Sequence, residues 1–183
     1  YGAGHAYGNP LTGSGTAESV TKMTREDLVK FHRAWYHPNN ATLVIVGDTT
    51  LGEIKPKLEK LFASWKAGQI PKKNVGTVSL PAKSTVYLMD KPGALQSVII
   101  AGSIAPPKAN PKEIAMEAMN DELGGMFGSR LNMNLREEKH WSYGARSLMW
   151  AARAQRPFLA FAPVQTDKTK ESLAEMNKEF RGV

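Results

Sequence analysis

GSRLNMNLREEKHWSYGA, residues 128–145, is where this chain changes from helix to strand. Leu131 and Leu135 stand at i and i+4, so one helix face is apolar. A dense run of charge from Arg136 to Lys139 then closes the helix. Beyond it, SYGARSLMWAARA (142–154) and PFLAFAPVQ (157–165) read as two strands around a turn near Gln155 to Pro157. A helix that runs straight into a hairpin argues against a regular alternation of strand and helix.

Working upstream, ANPKEIAMEAMNDELGG (109–125) carries full helix punctuation. Asn110 caps, Pro111 takes the first helical position, Glu113 lies three after the cap, and Gly124 and Gly125 end the helix. STVYLMD (84–90) and LQSVIIAGSIA (95–105) read as strands. Downstream, Asp167 caps a last helix with Leu173, Met176 and Phe180 facing inward. In the first third, Thr24 caps a helix with Glu26 and Asp27 in its first turn, and Leu28, Phe31 and Trp35 form its apolar face. Pro38 stops it. ATLVIVGD (41–48) reads as a buried strand. A helix over 51–66 follows, with Ile54, Leu58, Leu61, Phe62 and Trp65 in its stripe and Pro56 tolerated near its first turn. Residues 1–20 lack periodicity and read as an extended surface segment.

GQIPKKNVGTVSLPAK (68–83) holds two prolines, two glycines and three lysines, and is the best linker in the chain. The expected organisation is therefore helix–strand–helix over 1–70, a linker over 71–83, and strands, two helices, a hairpin and a helix over 84–183. The class is α+β, with mixed or antiparallel sheets flanked by helices.

Composition narrows the function. The 183 residues are 42% hydrophobic, enough for a core, with no apolar run of membrane-spanning length. The chain opens on Tyr1 with no basic-then-apolar leader and is read as an excised piece of a longer protein. Cysteine is absent, which excludes disulfides and thiolate metal sites. The net charge of +7 comes from lysines largely interleaved with acids on helix faces, as at Glu53, Lys55, Lys57, Glu59 and Lys60. No basic–aromatic interleaving marks a nucleic-acid binder.

Four histidines are present: His5, His32, His37 and His140. His32 and His37 lie five apart without an intervening glutamate, off the i, i+4 spacing that sets two ligands on one helix face. GGMFGS (124–129) lacks the Lys-Ser/Thr of a phosphate loop and reads as a helix stop and tight turn. Met116, Met119, Met126 and Met133 read as core filling, and Trp141 and Trp150 as sheet packing.

Several ordered motifs together resemble one family. GSRLNMNLREEKHWSYGA is similar to the Ser-Arg-Leu, Leu-Arg-Glu and Tyr pattern of the pitrilysin/insulinase-type zinc peptidases, which include the mitochondrial processing peptidase. MTREDLVKFHRAWYHPNNATLVIVGD (23–48) resembles that family's helix, Tyr-x-Pro-x-Asn turn and strand, and MDKPGALQSVIIAG (89–102) resembles the opening strands of its next domain. The resemblance implies a metallopeptidase-like α+β domain, with this chain spanning the back of one domain and the front of the next.

In active members one domain holds zinc through His-x-x-Glu-His and a distant Glu, and the following domain supplies an arginine and a tyrosine to the substrate. Those two positions match Arg136 and Tyr143. A loop at Gly124, Gly125, Ser129 and Arg130 would border the substrate chamber, with Arg130 either contacting substrate or, the favoured alternative, forming a structural salt bridge. Peptide hydrolysis builds negative charge on the carbonyl oxygen, and a phenol and a guanidinium are suited donors to it.

His-x-x-Glu-His is missing here. The resemblance thus implies no zinc and no activity in this chain alone, with zinc in a catalytic domain of the same chain or a partner subunit. It implies an extended peptide as substrate and a bacterial cell-envelope compartment in preference to cytoplasm, while the sequence patterns above point to no nucleic-acid partner and no membrane span. A fragment cut across two domains would expose a hydrophobic face able to pair two copies. The alternative is a non-catalytic structural subunit of the same family.

Overall fold

The computed structural model describes residues 1–2, 4–8 and 13–183. Part of the segment expected to be extended, residues 3 and 9–12, lies outside the described residues. The chain divides into two units, Tyr1–Val75 and Gly76–Val183.

In the first unit, helix α1 (Ala17–Lys22) replaces the end of the expected extended segment. Thr16 and Ser19 form a reciprocal cap that satisfies the free N–H groups there. Helix α2 (Arg25–Trp35) starts as its sequence dictates. The Thr24 hydroxyl accepts from the Asp27 N–H, and the Asp27 carboxylate accepts from the Thr24 N–H. This capping holds the Asp27 carboxyl below its ordinary value. After α2 a short 3₁₀ turn, Pro38–Asn40, is tied down by asparagines. Asn40 Nδ2 donates to the Trp35 carbonyl, and Asn39 exchanges two hydrogen bonds with Gly68. Helix α3 is Leu51–Leu61, shorter than expected, and Pro56 lies a full turn inside it.

The segment 41–48 departs from expectation. It joins no ladder among the described residues, and Val46 is 93% exposed. A strand is stable only when its N–H and C=O groups find a neighbouring chain, and the first unit offers none. None of its described residues is buried; Leu28 and Phe31 of α2 and Leu61 of α3 remain exposed. The apolar stripes exist, but nothing in the unit covers them.

The second unit has a core. Strands β1 (Gln96–Ala105), β2 (Arg146–Met149) and β3 (Arg156–Gln165) form an antiparallel sheet in the order β1-β3-β2. Ile99 pairs with Ala162, Gly102 with Leu159, and Ser147 with Ala160. The hairpin expected over 142–165 is present, but β2 is only four residues long. Its loop spans 150–155, and β3 begins at Arg156, inside the expected turn. The segment 84–90 is the second expected strand without a ladder; Leu88 is 93% exposed.

One sheet face, with Ile99, Ala160, Ala162 and Val164, packs under the helices. Helix α4 (Glu113–Asn120) continues into a π turn, Asp121–Gly125, that contributes Leu123. Helix α5 (Arg130–Asn132) continues into a second π turn, Met133–Glu138, and Leu131 and Leu135 are wholly buried. After a 3₁₀ turn, helix α6 (Thr169–Arg181) adds Met176. Phe180 packs against this core, but Leu173 faces solvent. Of the methionines expected as filling, Met119 packs on the core while Met126 and Met133 are exposed.

Gly124 explains how closely helix and sheet approach. A Cβ there would sit 2.3 Å from the Ser147 backbone nitrogen, so no larger residue fits. Arg156 is 2% exposed and is satisfied internally: it is ion-paired with Glu113, and its Nε donates to the Pro106 carbonyl. That guanidinium, more than any other cause, holds the Glu113 carboxyl below its ordinary value.

Candidate functional site

The wide turn Met133–Glu138 brings Arg136 to the surface, half-exposed. The chain then reverses at His140, whose φ of +57° is left-handed. That conformation lets the Trp141 N–H bond back to the Leu135 carbonyl at 2.9 Å, and His140 Nδ1 lies 3.0 Å from the Arg136 carbonyl. Ser142 then anchors the returning chain. Its hydroxyl donates to the Pro163 carbonyl at 2.6 Å and accepts from the Gly144 N–H at 3.1 Å. Tyr143 is held between these two fixed residues, in a bend just before β2 and not in a strand.

The reversal carries Tyr143 back over Arg136. The guanidinium carbon is 4.9 Å from the Tyr143 ring centre and 4.8 Å from the Phe127 ring centre. Cation–π attraction holds it between the two rings, and Nε lies 3.2 Å from Glu137 Oε1. The Tyr143 ring is 83% exposed, and its hydroxyl has no hydrogen-bond partner among the described residues. A cavity of about 430 Å³ opens beside the pair, lined by Gly124, Gly125, Met126, Phe127, Tyr143, Arg146, Phe161 and neighbours.

Asn132 links the walls of this cavity. Its Nδ2 donates to the Phe127 carbonyl at 2.7 Å, and its Oδ1 accepts from the Ala145 N–H at 3.3 Å. One buried amide therefore fixes the loop before α5 and the bend after Tyr143.

Gly124 and Gly125 line the cavity. Ser129 and Arg130 do not: Ser129 is buried at the start of α5, and Arg130 turns to the far end of α6. There it pairs with Glu179 at 2.8 Å and donates to the Gly182 carbonyl at 3.0 Å. Phe127 and Arg146 are residues that sequence reading did not single out. Phe127 lies within the glycine-rich stretch; its signal was an aromatic in a turn with no core to enter.

No group of three His, Asp or Glu side chains among the described residues is placed to hold a metal ion. His32 stacks on Tyr36, and His5 stacks on Tyr1 with its Nδ1 accepting from the Tyr7 N–H. These residues do not fit a zinc site.

Residues 22–183 match the family model described as the peptidase M16 inactive domain. The chain belongs to that family. Among curated relatives of this M16 inactive domain, a zinc protease of Mycobacterium leprae is 27% identical over 149 residues, 79% of the chain and 32% of the relative. Zinc protease PqqE of Helicobacter pylori is 24% identical over 163 residues, 87% of the chain and 36% of the relative. The chain spans about a third of the length of these curated relatives.

In solved structures the fold recurs in a peptidase M16 inactive domain from Pseudomonas fluorescens. The TM-score is 0.81 at 23% identity, covering 92% of this chain and 40% of that one. A protease from Helicobacter pylori follows, with a TM-score of 0.71 at 24% identity over 90% of this chain and 41% of that one. The α+β reading and the family read from the 128–145 motif are both correct. Among the described residues, no helix is long and apolar enough to cross a membrane.

Proposed function

We propose that this M16 inactive domain supplies substrate-binding and oxyanion-stabilising groups, Arg136 and Tyr143, to a zinc metalloendopeptidase that cleaves extended peptides. The observation that carries the reading is the Arg136–Tyr143 pair: a guanidinium 4.9 Å from a phenol ring whose hydroxyl is unengaged, at the mouth of a cavity. Zinc belongs to a catalytic peptidase domain, in the same polypeptide or a partner subunit, and when bound there supplies Lewis-acid chemistry.

Arg136 presents fixed N–H donors and a permanent charge to a peptide backbone. Tyr143 donates its O–H to an oxygen gaining negative charge, which lowers the barrier only if it is held ready beforehand. Ser142 and Asn132 provide that hold. Such an assembly sits in a bacterial cell envelope, in keeping with the family resemblance. In isolation, apolar residues left uncovered on α2 and α3 pair two copies, which sedimentation would register as a dimer.

The test is Tyr143→Phe and Arg136→Gln in the full parent, assayed on an unstructured peptide. Loss of one such donor lowers kcat by about 100- to 1000-fold. Thermal unfolding of Tyr143→Phe should stay unchanged, because the ring is exposed and only its hydroxyl is lost. Turnover unaffected by either substitution refutes the catalytic reading and leaves a structural subunit.

A further inference from the structure

We propose that Arg146 determines specificity, selecting extended peptides that carry an acidic side chain next to an apolar one. The inference rests on the peptide-binding reading above. Arg146 opens β2 and lines the same cavity as Phe127 and Tyr143. Arg130, Arg136 and Arg156 each face a glutamate, yet Arg146 has no carboxylate partner among the described residues. Its side chain rests instead on an aromatic face: the guanidinium carbon lies 5.6 Å from the ring centre of Phe161, its register partner across the ladder.

A guanidinium resting on a ring keeps its N–H edge free, and that edge matches a carboxylate in two-pronged fashion. The described residues lining the cavity include no aspartate or glutamate, and Arg146 is the charged one among them. Its floor is apolar, built from Met126, Phe127, Phe161 and Pro163. A volume of about 430 Å³ accommodates one large side chain. The apolar surface continues along the uncovered sheet face through Ile100 and Val98, the register partners of Phe161 and Pro163. An extended peptide laid there would bury an apolar side chain and bring its neighbour within reach of Arg146.

The experiment measures binding of three short fluorescent peptides to the full parent at low salt. They are identical except for Leu-Asp, Leu-Asn or Leu-Lys at the centre. The aspartate peptide should bind about fivefold tighter than the asparagine peptide, the size of an exposed ion pair, with the lysine peptide weakest. The preference should vanish near 0.5 M salt, where screening reaches a few ångströms. Arg146→Gln should erase the difference between the aspartate and asparagine peptides, and Arg146→Lys should retain part of it. Equal binding of all three peptides, with Arg146→Gln silent, overturns the role of Arg146 and leaves the peptide-binding reading standing. Failure of every peptide to bind overturns both.

Discussion

Truncating Leu135 tests the register on which the site depends. Leu135 is 0% exposed, and its chain neighbour Arg136 stacks on Phe127 and Tyr143. Leu135→Ala removes three buried carbons. At about 0.8 kcal/mol each, the transfer loss is roughly 2.4 kcal/mol. The cavity left behind adds to this, giving about 3 to 4 kcal/mol, because the packed helix and sheet cannot close around it. A domain stable by about 5–15 kcal/mol loses a large fraction of its margin. Leu173→Ala on α6 is the control, since Leu173 is exposed and its truncation should cost under about 1 kcal/mol. Urea unfolding followed by circular dichroism measures both. Equal, small losses would show that residue 135 does not point inward. The wide turn would then be in another register, and Arg136 would not face Tyr143.

Three further outcomes follow from particular contacts. Gly124→Ala should disrupt the α4–sheet approach and destabilise by about 1–3 kcal/mol or more, since its new methyl meets Ser147 backbone; a stability change near zero by urea titration would contradict this. His140→Gly should be tolerated and His140→Ile should cost over about 1 kcal/mol, because a β-branched residue resists positive φ; the difference in thermal midpoint between the two variants decides it. Glu113 is held below its ordinary value of 4.5 by Arg156. Its folded pKa is depressed, so the ion pair stabilises fully above that value and is lost as pH falls through the folded pKa. Urea midpoints from pH 6 to pH 3 should therefore fall more steeply in the wild type than in Glu113→Gln, and parallel curves would contradict the pairing.

What the sequence revealed was local. Thr24 with Asp27, and Leu131 with Leu135, are read within one or two helical turns, and the structure keeps both. The Arg136 and Tyr143 positions were legible only through the family pattern; their proximity depends on the left-handed His140, which nothing in residues 135–145 announces. Two apolar β-branched runs, 41–48 and 84–90, carry strand composition, but a strand is completed by a distant neighbour. Composition cannot say whether that neighbour is present. Arg156 looked like a turn residue, and its burial follows from Glu113, forty-three positions away. Phe127 joined the site because a turn swings it over Arg136, a three-dimensional event without a periodic trace.

The π turn at Met133–Glu138 has an evolutionary reading. Such a turn amounts to one residue inserted into an ordinary helix. Each helical residue advances about 100° around the axis. Deleting one residue near Met133 would restore a regular helix and swing whatever follows through that angle. Leu135 would leave the core or Arg136 would leave its place between Phe127 and Tyr143, but both could not stay. Among relatives, alignment gaps here carry chemical meaning: a chain one residue shorter between Leu131 and Arg136 should have surrendered the arginine's place beside the tyrosine even if both letters persist.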